Sequence, residues 1–171
     1  MNGSRSKGRL TIRPARPQDA EAIHAGLVGI GQAIGAAHKV RSTPRDISRD
    51  GFGPQAHFHT LIAEIDSEFA GMCLYFPIYS TWRGQPGAYV QDLFVGDAFR
   101  GTGIGEKLLR HLARALRDKG GGYIELAVDT GNPGAQRFYE RLGIAHQADS
   151  RIHRITGEAF LAFADTDEGN A

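Results

Sequence analysis

The chain has 171 residues, of which 41% are hydrophobic and 23% charged, with a formal net charge of +1. That length suits one domain burying about two-thirds of its unfolded surface, and the near-neutral balance argues against a nucleic-acid or membrane-surface protein, which would gather Lys and Arg on one face. The lone cysteine, Cys73, sits in an apolar run, so no intrachain disulfide can form and a reducing, cytoplasmic setting is expected; no stretch approaches the roughly 20 apolar residues of a membrane span.

Both ends read as tails: residues 1–8 are small, polar and basic, and residues 165–171 are acidic. Between them, 9–164 is expected to form a single domain. Leu10 and Ile12 alternate with polar neighbours before Pro14, which predicts a strand over 9–13. After Pro17, Ala20, Ile23, Leu27 and Ile30 recur at helical spacing. Gly26, Gly29, Gly31 and Gly35 each weaken that helix by about 1 kcal/mol relative to Ala, so an irregular, mobile helical segment is expected. Thr43-Pro44 opens a second helix that Asp50-Gly51 ends.

From Phe58 the pattern turns to period two. Strands are expected over 58–65, 69–78 and 89–95, with Asp66-Ser67 as a tight hairpin and residues 83–87 as a loop. A long amphipathic helix follows over 103–119, its stripe formed by Ile104, Leu108, Leu112 and Leu116, and Gly120, Gly121 and Gly122 end it. A strand over 123–128, a short helix over 133–142 closed by Gly143 and two further strands over 144–164 complete the chain. A strand, a helix and a strand over 89–128 predict a parallel crossover. The expected fold is therefore α/β: a mixed sheet covered by helices.

The sharpest motif is Arg100-Gly101-Thr102-Gly103-Ile104-Gly105, set between a strong strand and a strong helix. Glycines allow positive φ and close backbone approach, and the first turn of a helix offers unpaired N–H groups to an anion. A pyrophosphate suits such a loop. Neither the Walker pattern nor the dinucleotide pattern G-x-G-x-x-G is present.

Downstream, Asn132, Ala135, Phe138, Tyr139 and Gly143 stand at a second set of spacings. With Arg100, Gly103 and Gly105 they fill two motifs of the GNAT acetyltransferase superfamily, Arg/Gln-x-x-Gly-x-Gly/Ala and Asn-x-x-Ala-x-x-Phe-Tyr-x-x-x-Gly, which this chain resembles. It is most similar to the diamine/polyamine (spermidine/spermine-type) N-acetyltransferases, from Ile12-Arg13-Pro14-Ala15 through Asp50-Gly51-Phe52-Gly53 and Leu61-Ile62-Ala63-Glu64 to the 89–95 strand. Trp82 also looks like that family's tryptophan, although a lone loop tryptophan is more often a packing residue.

The resemblance implies the acyltransferase fold, with a mostly antiparallel sheet, a parallel crossover carrying the coenzyme loop and helices on both faces. It implies an N-acetyltransferase using acetyl-CoA and no metal, acting on a small-molecule amine by direct attack, with neither nucleic acid nor membrane as partner, and a homodimer. It places main-chain groups of Leu93, Phe94 and Val95 on the pantetheine arm, and residues Arg100, Gly101, Thr102, Gly103, Ile104, Gly105 and Glu106 on the pyrophosphate. Asn132, Pro133, Gly134, Ala135 and Leu142 would line the rest of the coenzyme groove. Tyr139 would be the general acid that protonates the departing thiolate. Gln91, Asp92, Glu125, Leu126 and Ala127 would form the acceptor side.

The chain departs from its polyamine-acetylating relatives at two places: Gln91 stands where they carry Glu, and Ile34 where they carry a first-helix carboxylate. No Asp or Glu occurs between Glu21 and Asp46. A polycationic acceptor needs nearby carboxylates to offset its lost hydration, so an amino-acid-like amine such as thialysine fits at least as well as a polyamine. Asp92 and Glu125 remain as carboxylates on the acceptor side. Acetylation of a protein amine and a non-catalytic acetyl-CoA sensor are the alternatives. His57 and His59 flank Phe58, but two histidines with no third ligand in pattern do not make a metal site, and His111 among Lys107, Arg110 and Arg114 reads as a solvated helix face.

Overall fold

A computed structural model describes residues 8–165, so the tail expectations for 1–7 and 166–171 lie outside the described residues. The order is β1 (Leu10–Pro14), α1 (Ala20–Ala33), α2 (Pro44–Asp50), β2 (His59–Ile65), β3 (Glu68–Ser80), β4 (Gln85–Val95), α3 (Ile104–Arg117), β5 (Tyr123–Leu126), α4 (Pro133–Arg141) and α5 (Gly157–Ala164). Short 3-10 turns at Pro17–Asp19, Ala37–Lys39 and Asp97–Phe99 connect them. The described residues fall into two compact units divided after Pro133.

In the first unit five strands lie in the order β1-β2-β3-β4-β5. The pairs β1/β2, β2/β3 and β3/β4 are antiparallel, and β4/β5 is parallel across the α3 crossover. The β2–β3 hairpin turns on Asp66 and Ser67, both at positive φ (49° and 71°), the backbone that a tight two-residue hairpin requires. The expected loop over 83–87 is shorter than read: β4 already begins at Gln85, opposite Ser80. Pro86 is tolerated there because a strand's first residues need not donate a ladder bond.

Strand alternation gives the sheet two apolar faces, each with its own helices. Met72 and Leu74 face the first layer, joining Ile23 of α1 and Ile47 of α2 in one buried cluster with Ile62. Gly71 and Cys73 face the other, where a Cβ on Gly71 would lie 3.5 Å from Ile104 of α3 and where Ile104, Leu108, Leu109 and Leu112 are buried. The helix α2 starts as its sequence demands: Thr43 and Asp46 cap each other's backbone N–H groups and Pro44 takes the first turn.

Two further expectations are corrected. The glycine-rich segment after Pro17 is a regular 14-residue α-helix, because its glycines serve packing: a Cβ on Gly26 would come within 2.8 Å of Met72 and one on Gly29 within 2.6 Å of Phe94. Burial against the sheet outweighs poor intrinsic propensity. In the second unit, residues 144–164 form no strand; α5 occupies Gly157–Ala164. Its Glu, Ala and Leu residues are strong helix formers, and a short apolar run cannot be told from a strand by periodicity alone. The helix α4 ends as expected, with Gly143 at φ 79°. There the Ile144 N–H donates to Tyr139 O and the Gly143 N–H to Glu140 O, the bond pair of a Schellman cap.

Candidate active site

The site begins with a mismatch in β4. The register against β3 pairs Leu74 with Asp92 but Tyr75 with Val90, so Gln91 is an extra residue, a bulge that bends the strand. Pairing with β5 runs from Gly87/Tyr123 to Val90/Leu126, while β4 stays on β3 as far as Val95. The β5 side of residues 91–95 is thus outside the ladder. Gly96 N–H donates to Ala70 O (3.0 Å), so the two-residue alternation puts the polar groups of Phe94 and Asp92 on β3 and those of Leu93 and Val95 on the opposite, open edge. Val95 O there accepts from Arg100 Nε at 3.3 Å.

Directly after this edge comes the glycine loop. Gly101 and Gly103 have φ of 75° and 80°, a region where a side chain is strained, and a Cβ at either would meet nothing within 4 Å. Thr102 Oγ1 donates to Phe99 O (2.6 Å), fixing the loop on the preceding turn. The first helical bond of α3 comes from Lys107 N–H to Gly103 O, so the N–H groups of Ile104, Gly105 and Glu106 have no helical acceptor. An open cradle of left-handed glycines at a helix N-terminus fits a diphosphate, and with the free edge of Leu93 and Val95 it fits the extended form of a nucleotide coenzyme.

On the α1 face lies a cleft of about 470 Å³ lined by Ala25, Gly29, Gln32 and Ala33 of α1 and by Phe94, Asp97 and Arg100. Its one cation and one anion are paired, Arg100 Nη2 to Asp97 Oδ1 at 2.8 Å. Sequence reasoning gave no site role to Gly29, Gln32 or Asp97, because only the fold brings α1 against the end of β4. Asp92 stands on the same strand face as Phe94. It is half-buried, burial pushes its carboxyl up to about 6, and no described group hydrogen bonds to it. Gln91 and Glu125 are exposed, as are Ala127 and Ile34, and Leu126 is half-buried. On the opposite sheet face, burial and the charge of Asp92 push the Cys73 thiol up to about 12, which leaves it inert.

Asn132 and Pro133 close the first unit, after an Asx turn in which Gly131 N–H donates to Asp129 Oδ1 (2.7 Å). Within the second unit Gly134 and Ala135 lie on the first turn of α4 and Tyr139 on its last. The Tyr139 ring meets Phe138 edge-on at 5.1 Å, and Leu142 follows, half-buried. Trp82 is not a packing residue: it is 99% exposed at the tip of the β3–β4 hairpin. His57 precedes β2 rather than lying in it, and the His59 ring sits 5.7 Å from Tyr75.

Bulge, open strand edge and glycine cradle together define an acyl-coenzyme-A transferase. The profile of the Acetyltransferase (GNAT) family matches residues 35–144. A thialysine N-epsilon-acetyltransferase of Mus musculus is 33% identical over 164 residues, covering 90% of this chain and 96% of that protein. An L-ornithine N5-acetyltransferase of Arabidopsis thaliana is 31% identical over 125 residues, 73% of this chain and 52% of that one. Among solved structures, an integron cassette protein from the mobile metagenome of V. cholerae superposes with a TM-score of 0.79 at 19% identity, covering 92% of this chain and 98% of its own. The chain belongs to the GNAT acetyltransferase family and is an N-acetyltransferase. The family's cosubstrate is acetyl-CoA.

Proposed function

We propose that this enzyme acetylates the side-chain amine of a small, amino-acid-like acceptor by direct attack, with coenzyme and acceptor bound together. The observation that carries this is the stretch of β4 beyond Val90 left unpaired on its β5 side, followed in the chain by the Gly101–Gly103 cradle. Bound acetyl-CoA supplies an acetyl group activated as a thioester. The chain supplies the rest. N–H groups of residues 101–106 hold the diphosphate, the open edge of Leu93 and Val95 orients the arm and polarises the carbonyl, and residues 132–135 with Leu142 line the groove. Tyr139 gives its phenolic proton to the leaving sulfur.

Thialysine and ornithine, the acceptors of the two relatives, each carry one side-chain ammonium. That matches an α1 wall without a carboxylate between Glu21 and Asp46, an exposed Gln91 on β4 and an exposed Ile34. Spermidine has more positive charge than this wall can offset. A two-fold dimer in the cytoplasm belongs to the same reading; it is supported by family likeness and, for the compartment, by a buried free Cys73.

Thiol release from acetyl-CoA, measured against thialysine, ornithine and spermidine, tests this. Turnover is expected with the first two and about tenfold or more lower kcat/KM with spermidine. A preference for spermidine overturns the acceptor class; no turnover with any amine overturns the enzyme's assigned chemistry.

A further inference from the structure

We propose that the Arg100–Asp97 pair in the cleft on the α1 face reads the α-carboxylate and α-ammonium of the acceptor, and so selects an amino acid over a diamine. This rests on the amine-acetylation reading above and deepens it. That reading needs only a wall poor in carboxylates, whereas here two side chains take the acceptor's head group.

The cleft has an apolar part and a charged part. Gly29 and Ala33 of α1 and the Phe94 ring line it without charge, and Arg100 and Asp97 are its only charged lining residues. An amino-acid acceptor divides in the same way, into an apolar stem and a zwitterionic head. Phe94 and the small α1 residues suit the stem, and the ion pair suits the head.

Arg100 is held where this role requires it. Its Nε donates to Val95 O at 3.3 Å, a carbonyl on the open edge of β4, and its Nη2 lies 2.8 Å from Asp97 Oδ1. A guanidinium carries five N–H donors in a rigid fork, and among the described residues these two contacts leave the others free. Paired N–H donors match the two oxygens of an α-carboxylate, and Asp97 keeps an oxygen for the neighbouring α-ammonium. Val95 lies two residues, about 7 Å, along β4 from Leu93. The three methylenes of ornithine span a comparable distance, so a head group anchored at Arg100 leaves the amine within reach of Leu93.

The pair has little else to do. Both side chains are exposed and stand three residues apart, a setting in which an ion pair adds little stability. The diphosphate is assigned above to main-chain N–H groups, which leaves the Arg100 guanidinium unused. Its charge also works against the wrong acceptor, because a diamine or spermidine brings a second ammonium to a guanidinium where an amino acid brings a carboxylate.

Two analogues of ornithine each lack one head group: 1,4-diaminobutane lacks the α-carboxylate and 5-aminopentanoate the α-ammonium. The wild type should use each with kcat/KM about tenfold or more below that for ornithine. Arg100→Gln should abolish or reverse the preference over 1,4-diaminobutane and keep that over 5-aminopentanoate; Asp97→Asn should do the opposite. The change should lie in KM rather than kcat, since the head group is held alike in the ground and transition states. Ratios between acceptors separate this role from a contribution of Arg100 to the coenzyme, because a weaker coenzyme site lowers all three acceptors in proportion.

Turnover of ornithine with acceptor ratios that neither substitution moves overturns this role alone. A wild type that prefers 1,4-diaminobutane, or that releases no thiol with any amine, overturns the reading above and this role together.

Discussion

Gly29 of α1 packs against Phe94 of β4 so closely that a Cβ on the glycine would lie 2.6 Å from the ring. This contact joins the first helix to the strand that carries the open edge, and both residues line the cleft. Phe94 is also stacked on Phe69, with ring centroids 6.3 Å apart, which limits how far it can yield. Gly29→Ala gains about 1 kcal/mol of helix propensity and meets an overpacking cost of about 1 to 3 kcal/mol. Urea unfolding should show a net loss of about 1 kcal/mol, together with a raised KM for the acceptor. A stabilised variant with unchanged KM would mean that the cleft does not hold the amine.

Gly103 differs, because no atom crowds it and only its φ of 80° demands glycine. Gly103→Ala should cost about 1 kcal/mol of stability through left-handed backbone strain. The new methyl enters the cradle itself. Calorimetry should find acetyl-CoA bound about tenfold or more weakly, a loss of at least about 1.4 kcal/mol. Unchanged affinity would move the diphosphate elsewhere.

Tyr139→Phe removes one hydroxyl from α4. The expected outcome is a fall in kcat of about 100-fold or more with coenzyme affinity retained, since proton donation matters only as the sulfur departs. Thiol release and calorimetry on the same preparation separate the two effects, and an unaltered kcat would remove Tyr139 from the chemistry.

Arg13 ties three elements together away from the site. Its Nη1 and Nη2 donate to Asp19 at 2.7 and 2.9 Å, and its Nε donates to Glu64 at 3.2 Å. All three side chains are largely withdrawn from water. Arg13→Ala leaves two carboxylates without their cation and should cost about 3 kcal/mol at pH 7 in urea unfolding, with kcat unaffected. The Arg13 hydrogen bonds hold the Asp19 carboxyl below its ordinary value of 3.8. The stability it contributes is therefore complete above that value and lost as pH falls through the lower folded value. Arg13→Ala should flatten this acid limb.

The sequence was most legible where local chemistry is strict. Thr43-Pro44, Asp66-Ser67, Gly120 and Gly143 each mark a boundary that the structure keeps, because a cap or a positive φ is satisfied by a few residues in a row. It was least legible where the partner lies far away in the chain. The α1 glycines read as weakness until Met72 and Phe94 were seen against two of them, and 144–164 read as strands because an apolar run carries no sign of what will cover it.

The two motifs carried the resemblance to the family and, through it, the expectation of acetyl-CoA, and they were readable because each needs only neighbouring residues to form. What tertiary structure alone decided is the shape of β4 beside the glycine loop. The Gln91 bulge and the end of β5 pairing at Val90 depend on register between strands, and register is a property of two segments that no single stretch of sequence contains.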